Sequence, residues 1–153
     1  MKTIHRKIRV ISSAFLITTY ASNPAFAEWV YIGSAKNEPV DYFYDNTPTF
    51  MRGDNITIFM SERHNHPQKH RAKDDWGRVF EWDGQVQTIR VFCRQMIGQQ
   101  IQETWLLNGK VVNSNNVEMM LSRAGMQVPS FEINPSDMRF TAANNQCKNA
   151  VRR

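Results

Sequence analysis

The stretch Val86-Gln87-Thr88-Ile89-Arg90-Val91-Phe92-Cys93-Arg94 decides the fold. It alternates and is rich in β-branched residues, the pattern of a strand with one buried face. Ile89, Val91 and Cys93 share a side, because successive strand side chains point to opposite faces. That side is expected to be the buried one. The chain has two cysteines, Cys93 and Cys147. Near the second, Phe140, Ala143 and Cys147 fall at i, i+3 and i+7, one face of a helix. The pattern is compatible with a C-terminal helix stapled onto a sheet. In an oxidising compartment an isolated cysteine pair of this kind reads as one disulfide.

Other strands lie on both sides of this stretch. Trp29-Val30-Tyr31-Ile32 and Asp41-Tyr42-Phe43-Tyr44-Asp45 are aromatic and β-branched. Thr49-Phe50-Met51 leads into the turn Arg52-Gly53-Asp54-Asn55, and Ile56 to Met60 alternates again. Residues 61–75, polar and rich in His, Lys and Asp, read as an exposed loop. Val79 to Trp82 is a strand and Asp83-Gly84 a hairpin turn. Ile101 to Leu107 and Lys110 to Val112 flank Asn108-Gly109, a strong hairpin signal. Asn116 to Gly125 predicts a short helix, and Phe131-Glu132-Ile133 a short extended piece. Asn134-Pro135-Ser136-Asp137 predicts a helix start, with the proline in the first turn. The fold class is α+β, mainly antiparallel β: a single sheet with a C-terminal helix attached by a disulfide.

The N-terminus predicts export. Lys2, Arg6, Lys7 and Arg9 precede an apolar run from Val10 to Tyr20. Asn23-Pro24 breaks it, and Ala25-Phe26-Ala27 is a small-x-small cleavage site. The run is too short to span a bilayer as a helix. Residues 1–27 therefore read as a signal peptide and residues 28–153 as one domain. Removing four basic residues from the 19 in the chain leaves 15 against 14 acidic ones, so a formal charge of +5 becomes +1. Nothing in that balance argues for nucleic acid or an anionic membrane. The cleavage site carries no cysteine, so release without a lipid anchor is expected, into the periplasm, the medium or the cell surface.

In order and spacing, several of these pieces resemble the surface-adhesin protein E family of bacterial envelope proteins. They are Trp29-Val30-Tyr31-Ile32-Gly33, Asp41 to Asp45, Arg52-Gly53-Asp54-Asn55, and Cys93 sixteen residues before Gly109. Leu107-Asn108-Gly109-Lys110-Val111-Val112, the run Phe131-Glu132-Ile133-Asn134-Pro135-Ser136 and the closing Cys147 complete the set. The chain departs from the family at Phe92, often acidic there, at Ile101-Gln102 in place of a Tyr-Arg pair, and at Phe131 in place of Trp. The resemblance implies an antiparallel sheet with a helix held across it by the disulfide. It also implies an adhesive role.

Candidate sites follow from residue type. Arg52-Gly53-Asp54 is the tripeptide that integrins read, although a Gly-Asp turn is also what the hairpin requires. His64, His66 and His70 lie within seven residues, a spacing that imidazole ligands of zinc or copper can use. A solvated loop is the default reading, with a weak metal site as the alternative. Tyr42 and Tyr44 share one face of their strand, opposite Phe43, and are candidate partner-binding residues with Arg52, Gly53 and Asp54. No nucleophile elbow, HExxH or P-loop is present, so the chain is read as noncatalytic and without a cofactor. The expected function is adhesin-like binding at the bacterial envelope to a host-matrix or envelope protein. A soluble periplasmic accessory protein, binding a metal or an envelope partner, is the alternative. Free sheet edges also allow a homodimer.

Overall fold

In the strand Asn55–His64, Ile56, Ile58 and Met60 point one way and are buried, while Thr57, Phe59 and Ser61 point the other. This strand lies mid-sheet in the computed structural model, which describes residues 28–65 and 69–152. The elements in chain order are β1 (Trp29–Ser34), β2 (Val40–Asp45), β3 (Phe50–Met51), β4 (Asn55–His64), β5 (His70–Lys73) and β6 (Val79–Trp82). There follow β7 (Gly84–Phe92), β8 (Ile97–Leu107), β9 (Lys110–Asn115), α1 (Val117–Arg123), β10 (Ser130–Glu132), α2 (Met138–Asn149) and β11 (Val151–Arg152). The main sheet runs β1-β2-β4-β7-β8-β10, with β9 also on β8, and every pairing in it is antiparallel. The pairs β5–β6 (antiparallel) and β3–β11 (parallel) stand apart from it.

The inner face of the sheet carries the core. Ile89 and Val91 have no exposed surface, and Tyr44, Ile56, Ile58 and Met60 join them. Ala142 and Ala143 of α2 are fully buried against this face, small enough to let the helix lie close. The disulfide joins Cys93, just past β7, to Cys147 of α2, with a Cα separation of 5.7 Å. Two polar contacts tie down the same helix. The Gln146 side-chain amide donates to the backbone carbonyl of Asp45 at 2.8 Å, and Asn145 donates to the Tyr44 hydroxyl at 3.2 Å. Asp137 caps α2 by accepting from the Arg139 backbone N–H. The Asn108-Gly109 turn has positive φ at both residues, as a tight hairpin of this hand requires.

Four expectations are corrected. Residues 61–75 are not all loop. β4 continues through His64, and β5 pairs with β6 from His70 to Lys73. The ladder with β7 extends to Arg63 opposite Gly84, so polar side chains ride on a paired backbone. Asp83-Gly84 is not a hairpin turn, because β6 pairs with β5 while β7 pairs with β4 and β8. The Asp83 carboxylate instead accepts from the Asn108 backbone N–H at the next hairpin. Pro135 lies two residues before the Asp137 cap, outside the first turn of α2. On β2 the faces are reversed: Tyr44 points into the core at 4% exposed, whereas Phe43 lies on the outer face. The predicted signal peptide lies outside the described residues.

Candidate functional site

The outer face of β1, β2 and β4 carries a group of exposed aromatic residues. Trp29 and Tyr31 alternate along β1 and are 40% and 56% exposed, and Phe59 of β4 is 42% exposed. Register places Tyr31 opposite Phe43 and Phe43 opposite Ser61, with the Tyr31 and Phe43 ring centroids 5.6 Å apart, edge to face. Arg63 stacks its guanidinium over the Phe43 ring, 5.3 Å from the centroid. Beside this stack the Tyr31 hydroxyl bonds Ser34 at 2.7 Å, and Ser34 donates to Asp41 at 2.5 Å. Asn65 donates to the other Asp41 oxygen at 2.6 Å. The hydrogen bond from Ser34, then that from Asn65, hold the Asp41 carboxyl below its ordinary value, with a smaller contribution from the Arg63 charge. The surface therefore mixes ring faces, one guanidinium and one hydrogen-bonded carboxylate.

The sequence candidates fall in different places. Tyr44 is not a surface residue; its hydroxyl donates to Asn46 and accepts from Asn145, and its ring belongs to the core. Tyr42, also inward, lines an inner-face cleft of about 360 Å³ with Met60, Glu62, Gln87 and Met138. Burial raises the Tyr42 hydroxyl above its ordinary value, and the Glu62 and Glu38 charges add to this. The Glu62 carboxyl is also raised, first by burial, with Glu103 and Glu38 adding to the shift and a hydrogen bond from Gln87 opposing it. Arg52-Gly53-Asp54 does form a tip, where Arg52 pairs with Asn55 and Gly53 takes a φ of 63°. Its acid is engaged, since Asp54 Oδ1 lies 3.3 Å from Arg94 Nε.

His64 and His70 meet, with ring centroids 4.6 Å apart, but their common neighbour is Trp82. The Trp82 ring stacks on His70 at 4.6 Å and meets His64 edge-on at 4.8 Å. Among the described residues no group of three or more His, Cys, Asp or Glu side chains is arranged to hold a metal ion. His66 lies outside the described residues. Sequence reasoning missed both the Trp82 stack and the outer-face set of Trp29, Tyr31, Phe59 and Arg63. The signal for the second was alternation along β1, where Val30 and Ile32 take the core side and Trp29 and Tyr31 the other.

No protein-family model matches the chain, and no curated protein matches it. Among solved structures it is similar to protein E from non-typeable Haemophilus influenzae, with a TM-score of 0.47 and 13% identity over 78% of this chain and 76% of that one. At that TM-score the likeness says nothing about role. Among the described residues no helix is long and apolar enough to cross a membrane.

Proposed function

We propose that this chain is an exported, noncatalytic binding protein of the bacterial envelope, adhesin-like in its mode of action. It recognises a protein partner through the outer face of β1, β2 and β4. One observation carries the reading: Trp29, Tyr31, Phe43, Phe59 and Arg63 stand together on the face away from the core. Aromatic and Arg side chains supply most of the energy at protein interfaces, and rigid ones lose least entropy on binding. The disulfide is consistent with an oxidising compartment. The test is a binding screen of residues 28–153 against extracellular-matrix proteins and envelope extracts. Tyr31→Ala and Arg63→Ala are expected to weaken a detected interaction about tenfold or more, a loss of ~1.4 kcal/mol. Unchanged affinity in both variants would show that the site lies elsewhere.

A periplasmic accessory role is the second reading. The inner-face cleft at Tyr42, Met60, Glu62, Gln87 and Met138 favours it, because a recess that sets a few polar groups among apolar ones takes a small ligand better than a protein surface. Cell fractionation separates the two. Recovery from the outer surface or medium supports adhesion, and recovery from the periplasm supports the accessory role.

A further inference from the structure

Cys93 and Cys147 are not sealed in the core. Both line an open cleft of about 380 Å³ together with Asp54, Arg94 and Arg152. The cleft is built by three local features. The turn at Gly53 forms an open rim, where an added Cβ would meet nothing within 4 Å. The parallel pairing of β11 with β3 sets Arg152 opposite Met51, on the wall of the cleft. Arg94 follows the half-cystine directly, and its side chain is 87% exposed. Asp54 is paired with Arg94, so the two guanidiniums leave the cleft with a net positive charge.

We propose that the Cys93–Cys147 bond is a thiol-exchange site, reached in the folded protein by small anionic thiols. A cleft of this size admits a small organic molecule. The guanidiniums attract a negatively charged thiol and stabilise the thiolate that departs. In the first step a thiolate RS⁻ attacks one sulfur of the bond. A new S–S bond joins R to that cysteine as the Cys93–Cys147 bond breaks, and the electron pair leaves on the other cysteine, which takes a proton from water. In the second step another RS⁻ attacks the mixed disulfide, releasing RSSR and the second cysteine as a thiol. Two RSH are oxidised and one protein disulfide is reduced. The helix does not depend on the bond alone for its place. Gln146 donates to the Asp45 and Thr47 carbonyls, and Ala142 and Ala143 stay packed on the sheet. Exchange can therefore run without global unfolding.

The experiment treats the oxidised protein, residues 28–153, with 2-mercaptoethanesulfonate (anionic) or cysteamine (cationic) at matched thiolate concentration in native buffer. Alkylation and intact mass follow the mixed disulfide and the free thiols, and denaturant jumps give the global unfolding rate separately. The expected rate is linear in thiolate, exceeds the unfolding rate, and is several-fold faster for the anionic thiol. That preference should fall toward unity in 0.5 M salt, where the Debye length is only a few ångströms, and should be lost or reversed in an Arg94→Gln/Arg152→Gln variant, whose cleft keeps only the Asp54 charge of the three. Rates that level off at the unfolding rate overturn the proposal. So do rates that ignore the charge of the thiol.

Discussion

Phe131 lies against Gly98 so closely that a Cβ at position 98 would come within 2.5 Å of its ring. The two residues face each other across the β8–β10 pairing, and the Arg139 guanidinium covers the same ring 4.4 Å from its centroid. Gly98, Phe131 and Arg139 thus stack a strand, its edge neighbour and the first turn of α2. Arg139 is in turn hydrogen-bonded to the Asp137 cap. Gly98→Ala is expected to cost about 1–3 kcal/mol by overpacking, read as a lower melting temperature with an unchanged far-ultraviolet spectrum. A melting temperature equal to that of the parent would mean that the ring moves freely.

The disulfide closes a sequence separation of 54 residues. The chain-entropy estimate for such a loop is about 4 kcal/mol, a large share of the stability of a small domain. Cys147→Ser is therefore expected to lower the melting temperature clearly. Because Gln146, Ala142 and Ala143 still fix α2, the variant should keep native secondary structure at low temperature. An unfolded variant at 10 °C would show that those contacts alone do not hold the helix.

Glu62 gives a pH-dependent prediction. Its carboxyl is raised in the folded protein, chiefly by burial. Between the unfolded value near 4.5 and the raised one, the native state holds a proton that the unfolded chain has released. Stability from this group is therefore lost as pH rises through that window, and ionised Glu62 opposes folding at neutral pH. Glu62→Gln should melt higher than the parent at pH 7, and the advantage should shrink as pH falls and vanish below about 4.5. Thermal melts from pH 4 to 8 check this; an advantage that grows in acid contradicts it.

Asp137 behaves in the opposite sense. Burial pushes its carboxyl up, but hydrogen bonds from the Arg139 side chain and backbone, with the guanidinium charge, outweigh this and hold it below its ordinary value. Its contribution is present above the unfolded value of 3.8 and is lost as pH falls through the folded one. Asp137→Ala removes the α2 cap and is expected to cost about 1 kcal/mol at pH 7. Equal melting temperatures of parent and variant at neutral pH would refute the cap's contribution.

The legible parts of the fold were those where burial and periodicity agree. Ile89, Val91 and Cys93 show one face of β7, and Phe140, Ala143 and Cys147 show one face of α2. Those two patterns place the helix across the sheet. The stretch from Ser61 to Lys73 was illegible because the inner face turns polar beyond Met60, so composition hides a ladder held by backbone bonds. On β2 both faces carry aromatic rings, and parity groups Tyr42 with Tyr44 without saying which side is inward. Val40 was the available signal: it shares their parity and is 2% exposed. The β5–β6 hairpin and the Trp82 stack rest on contacts between segments that no local pattern encodes.

Tyr44 and Tyr31, on opposite faces of the sheet, allow the binding surface to be separated from the core. Tyr44 is buried, and its hydroxyl links β2 to α2 through Asn145 while donating to Asn46. Tyr44→Phe keeps the ring and deletes the hydroxyl, leaving the Asn145 amide without that acceptor. A net hydrogen bond contributes about 0.5–1.5 kcal/mol, so a modest fall in melting temperature is expected with no change in partner affinity. Tyr31→Ala removes an exposed ring whose partners are Phe43 and the Ser34 hydroxyl. Surface substitutions of this kind shift stability by about 0.5 kcal/mol, whereas loss of an interface aromatic weakens binding by about tenfold or more. Melting and affinity, measured on both variants against the same partner, should therefore move in opposite patterns: Tyr44→Phe in melting alone, Tyr31→Ala in affinity. If Tyr31→Ala leaves affinity unchanged, the outer face around Tyr31 is not the binding surface.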